Sequence, residues 1–172
     1  SNNADIATVK EAGGLVTAKK VGTAVITATT YNGKTATCTV TVKNAPDKIS
    51  IEPTEITIGV GEVFYLSNSL PEDTASFNIK YSSRNTSIAT VTSLGGVITG
   101  KSAGTVTVNA ISHNGKTSKC TVTVKNAPDT ITLNETALTL KVGETFDLES
   151  TLPENTASYS IRYTSRNSNV AT

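Results

Sequence analysis

The chain is 172 residues long with a formal net charge of +1 and both signs spread along it, so the basic patch of a nucleic-acid binder is missing. No apolar run approaches the roughly eighteen residues of a membrane-spanning helix, so no membrane insertion is expected in this segment. Met and Trp are absent, while Thr, Val and Ile, which suit a pleated half-buried surface, sit between Gly and Asn turns; the composition predicts an all-β fold.

The ten residues Cys38 to Asp47, Cys-Thr-Val-Thr-Val-Lys-Asn-Ala-Pro-Asp, recur at Cys120 to Asp129, 82 positions later. The same shift carries Tyr81 onto Tyr163, Arg84 onto Arg166 and Phe64 onto Phe146. A fixed period of this size marks a tandem array. Three units follow: residues 1–44 as the second half of a repeat, 45–127 as one complete repeat, and 128–172 as the first half of another.

In residues 1–44, Ile6-Ala-Thr-Val9 precedes a Gly13-Gly14 turn and a short strand from Leu15. Gly22 opens an alternating run to Thr30, and Tyr31-Asn-Gly-Lys34 predicts a hairpin whose two central residues take positive φ. The returning strand, 35–43, ends at Asn44-Ala-Pro-Asp47, because proline cannot donate to a ladder. The complete repeat offers strand candidates at 48–51, 55–58, 62–68, 77–83, 87–91, 96–99, 105–112 and 117–125. Short strands with turn signals every eight to twelve residues predict a two-sheet sandwich.

Comparison of the copies assigns faces. Phe64 and Leu66 recur as Phe146 and Leu148, whereas Val63 and Tyr65 become Thr145 and Asp147, so the first pair faces the core. Val106, Val108 and Ala110 are expected to pack against Cys120, Val122 and Val124, with Ile79 and Tyr81 supplying the facing layer. There is one cysteine per repeat, so no disulfide forms inside a unit, and Cys38 and Cys120 are expected as inert residues on the apolar face of a strand.

Ser87-Ile-Ala-Thr-Val, Gly96-Val-Ile-Thr-Gly-Lys-Ser-Ala-Gly-Thr-Val-Thr-Val, Cys120-Thr-Val-Thr-Val, and upstream Ile56-Thr-Ile-Gly-Val-Gly-Glu with Leu70-Pro resemble the bacterial Ig-like domain of group 2. The resemblance implies tandem Ig-like sandwiches of the kind found in surface proteins, adhesins of the intimin and invasin sort, and secreted multidomain enzymes. It implies an extracellular or cell-surface location and no catalytic site.

Candidate chemistry is sparse. The lone histidine, His113, sits at a hairpin tip where the other copy has Tyr31, so no Ser/His/Asp or Cys/His set is expected. No metal site or cofactor is expected either. Arg84 and Tyr65 are the candidate contacts for a glycan or a host surface protein, weighed against an arginine stem lying over apolar surface. The reading is a structural or adhesive module of a stalk or filament, with an accessory or glycan-binding module of a secreted enzyme as the alternative. Each half repeat exposes a face that its other half would cover, so neighbouring copies or further repeats are the expected partners. Residues 128–172 of one copy and 1–44 of the next would complete one domain head to tail, which gives an open filament; an excerpt of a longer polymer is the alternative.

Overall fold

A computed structural model describes residues 1–172 and contains strands and turns but no α-helix. The N-terminal unit holds β1 (Ala7–Val9), β2 (Val16–Ala18), β3 (Gly22–Thr29) and β4 (Thr35–Val42). The central unit holds β5 (Ser50–Glu52), β6 (Glu55–Gly59), β7 (Val63–Tyr65), β8 (Ser67–Ser69), β9 (Lys80–Ser83), β10 (Ala89–Val91), β11 (Val97–Gly100), β12 (Gly104–Ile111) and β13 (Thr117–Lys125). Only β14 (Thr132–Leu133) and β15 (Ser150–Thr151) form in the C-terminal unit.

The central unit is a sandwich. One layer runs β6-β13-β12-β9, with β6 parallel to β13 and the other neighbours antiparallel. The other contains β10-β11-β7 and the β5-β8 pair, β7 and β8 being separated only by Leu66. The chain changes layer between β5 and β6 at Pro53, a residue that suits a strand edge. Alternation along β12 and β13 buries Val106, Val108, Ala110, Cys120, Val122 and Val124 on one face. They join one cluster with Ile51, Ile56, Ile58, Leu66, Tyr81, Ala89 and Ile98, against which Phe64 and Ile79 are half-buried.

Three expectations are corrected. Tyr81 does not belong to the facing layer: β9 pairs with the free edge of β12, Tyr81 opposite Ala110, so both sit in one sheet. Tyr81 is buried, its hydroxyl accepting a hydrogen bond from the Asn68 amide (2.9 Å), and the facing residues come instead from β5, β7, β10 and β11. Ile79 precedes β9, because pairing to β12 begins only at Lys80. The two Asn-Gly tips carry positive φ at Gly33 and Gly115 alone, not at both central residues. Each is a wider turn held by side chains: the Thr30 hydroxyl donates to Asn32 Oδ1 and accepts the Lys34 N–H, and Ser112 does the same with Asn114 and Lys116.

The third correction concerns Cys38. It lies opposite Ile26, whose side chain is buried, and therefore on the inner face of its hairpin, yet it is exposed whereas Cys120 is fully buried. The cause is the missing cover. In the central unit that face meets strands from the first half of the same repeat, which residues 1–44 do not contain.

The same logic explains the sparse C-terminal unit. β14 and β15 stand 82 residues after β5 and β8, the one pair whose members both come from the first half of a repeat. The positions equivalent to β6, β7 and β9 need β13, β11 and β12 as partners, and those lie in the second half. A strand without a neighbour leaves its amides to water and is not held extended.

Candidate module junction

The two linkers, Asn44-Ala-Pro-Asp47 and Asn126-Ala-Pro-Asp129, are tied down in the same way. The Asn44 carbonyl accepts the Ala75 N–H (3.0 Å), and the Asn126 carbonyl accepts the Ala157 N–H (3.1 Å). Each receiving loop is closed by a threonine hydroxyl on a proline carbonyl, Thr74 on Pro71 and Thr156 on Pro153, both at 2.7 Å. The turn between them places Asp73 and Asn155 at φ of 57° and 60°, a left-handed conformation that Asp and Asn tolerate. Each linker is therefore clamped by the loop of the module that follows it.

At the second junction the clamp extends onto the preceding domain. Glu62 follows the turn that ends β6, and its Oε2 accepts the Gly59 N–H (2.7 Å). The same carboxylate gathers the Ser158 hydroxyl (2.9 Å), the Tyr159 N–H (2.8 Å) and the Ser160 N–H (3.3 Å) of the next unit. Burial raises the Glu62 carboxyl, but hydrogen bonds from Gly59, Tyr159, Ser158 and Ser160 outweigh it and hold the group below its ordinary value. Beside it, the Phe64 and Tyr159 rings meet edge to face with centroids 4.9 Å apart. Gly59 itself points outward from β6, as Glu55 and Thr57 do, yet it is buried, because the Ala157 carbonyl lies against it.

The first junction presents the other half of this contact unfilled. Ser76, Phe77 and Asn78 stand 82 residues before Ser158, Tyr159 and Ser160. Phe77 is fully exposed at the mouth of a cleft of about 620 Å³ lined also by Val21, Val40, Val42 and His113. His113 serves the loop here: its backbone N–H donates to the Ser76 hydroxyl (3.1 Å), and its Nδ1 lies 3.1 Å from the same oxygen. The neighbouring Asn114 amide donates to the Pro46 carbonyl of the linker (2.7 Å).

Arg84 and Tyr65 are not brought together. Tyr65 points outward from β7, while Arg84 follows β9 in the other layer, exposed, its N–H on the Thr107 carbonyl. The junction residues Gly59, Glu62 and Tyr159 were missed by reasoning along one repeat, because their partners lie about 97 residues away. The available signal was the retention of Glu62 as Glu144 and of an aromatic at Phe77 and Tyr159.

Residues 45–124 match the bacterial Ig-like domain (group 2). The central module is a member of that family. No curated protein matches the chain. Among solved structures, domains 4 and 5 of the S-layer protein SbsC align at 26% identity over 71% of this chain and 66% of that one, with a TM-score of 0.40. A longer SbsC structure, domains 1–6, aligns at 24% identity and a TM-score of 0.42 over 77% of this chain, which spans 20% of that one. An intimin mutant of EHEC O157:H7 aligns at 21% identity over 52% of this chain and 51% of that one, TM-score 0.38.

Proposed function

We propose that this chain is a non-enzymatic segment of a stiff array of Ig-like modules, working as a stalk or spacer at a bacterial surface and carrying or acting as an adhesive element. The observation that carries the reading is the Glu62 carboxylate, which binds three donors of the succeeding module while Phe64 packs on Tyr159. A contact of that kind resists bending between neighbours, and in an array the nearest-neighbour terms add to the stability of each unit. A flexible tether would leave those polar groups to water.

Further repeat material is the expected partner. Leu15, Val16 and Val21 in the first unit, and Leu138, Leu140, Phe146 and Leu148 in the third, present apolar side chains to solvent. Complementary halves of the same repeat would cover them, supplied by the same polypeptide in a longer array or by a second copy docking head to tail into a filament. Sedimentation velocity over a hundredfold range of concentration separates these sources. Growth of the sedimentation coefficient supports the filament, and a constant value supports a longer single-chain array.

Small-angle scattering of the 172-residue chain tests stiffness. A single maximum dimension, lengthened or broadened by Glu62→Ala, supports the stalk. The same flexible profile for both proteins contradicts it.

A further inference from the structure

We infer that Gly59 determines whether a module of this array closes against its successor: a module with glycine at this position takes the next Ala-Ser-aromatic loop flush against its edge, and a module with lysine there does not. The inference deepens the proposed array and rests on it. In β6 the outward positions are Glu55, Thr57 and Gly59, and only Gly59 is buried. What buries it is the Ala157 backbone: a Cβ built on Gly59 would collide with the Ala157 carbonyl oxygen, a neighbour that the linker bond from Ala157 to Asn126 holds in place. Gly59 is not in the left-handed region, so its own backbone does not require glycine. The space it leaves is the requirement.

The third repeat has Lys141 at the equivalent position. The turn around it is otherwise the same. Lys141 N–H donates to Glu144 Oε2 at 2.7 Å, as Gly59 N–H does to Glu62, and Glu144 N–H donates back to the Lys141 carbonyl at 3.0 Å, matching 3.1 Å from Glu62 to Gly59. Gly61 and Gly143 have φ of 89° and 90°. The acceptor carboxylate Glu144 is therefore held to its turn as Glu62 is, and Phe146 follows at the position of Phe64. Within this shared turn the exchange of glycine for lysine fills the space that the Ala157 carbonyl occupies beside Gly59. A module docking there has to sit displaced from its predecessor, so the array holds closed joints after glycine repeats and open joints after lysine repeats.

The test transplants the third repeat's residue into the second. Amide hydrogen exchange of the full chain is compared for the native protein, Gly59→Ala, Gly59→Lys and Lys141→Gly. The Tyr159 and Ser160 amides, which end on Glu62 in the native protein, are expected to exchange at least about tenfold faster in Gly59→Lys and partly faster in Gly59→Ala. Lys141→Gly leaves them unchanged. Amides of β12 and β13 keep their native protection in every variant, which shows that the central module stays folded. Native protection of Tyr159 and Ser160 in Gly59→Lys overturns the inference, and so does loss of β12 and β13 protection in the same variant, since glycine would then serve the module rather than the joint. A native chain that scatters as a flexible tether defeats the array reading while leaving this comparison readable.

Discussion

Single side chains decide the joint. Glu62 keeps its charge because four donors converge on it against the pull of burial, so its folded value lies below the ordinary 4.5. A depressed carboxylate contributes stability that is fully present above the unfolded value and disappears as pH falls through the folded one. The joint is therefore expected to hold from neutral pH down to about 4.5 and to loosen below it, with Glu62→Gln already loosened at neutral pH. Chemical shifts of Tyr159 and Ser160 followed through an acid titration check this. Movement in step with β12 amides, rather than ahead of them, contradicts a local effect.

The cysteines give a second residue-scale prediction. Cys120 is buried, and burial, with Glu55 nearby, pushes its thiol up to about 11. Cys38 is exposed on the bare face of its hairpin. A thiol reagent at pH 8 is expected to modify one cysteine per chain, Cys38, and to reach Cys120 only after denaturation. Equal rates at the two sites would show that the core around Cys120 is open.

At the scale of elements, pairing follows supply. Every strand in the two flanking units pairs with a strand of its own half, and every position whose partner belongs to the other half stays unpaired. The central module owns both halves and so holds the core. Within it, Ile98 on β11 is fully buried, and Ile98→Ala is expected to lower its stability by about 2–5 kcal/mol, read by denaturant unfolding. Gly96 is a different case. Its φ of 64° is left-handed, and a Cβ there would lie 3.0 Å from the Tyr81 ring, so Gly96→Ala costs about 1–2 kcal/mol for the backbone before any clash. An unchanged melting curve for Gly96→Ala would mean that the Leu94–Gly96 turn relaxes freely.

These elements also show what could be read from the letters alone. The alternation that marks Val106, Val108, Cys120, Val122 and Val124 as inward is a local property of a pleated strand, and all five are buried. Which layer Tyr81 joins is not local, since it depends on whether β9 pairs with β12 or with β11, and alternation is the same in either case. The joint was less legible still. Gly59 falls just past the strand candidate 55–58 and Glu62 opens the candidate 62–68, and only the approach of a loop from the next unit gives either its role.

For the whole molecule, the proposal turns on one claim: the Ig-like module is fixed to the segment that follows it by a carboxylate, an aromatic pair and a glycine-sized gap. The direct measurement is the distance distribution between two spin labels that span the joint, one at Lys101 and one at Glu154, both exposed, in a Cys38→Ala background. One narrow distribution at pH 7, broadened by Glu62→Ala, is expected. A broad distribution in the native chain, indifferent to Glu62, would contradict the claim.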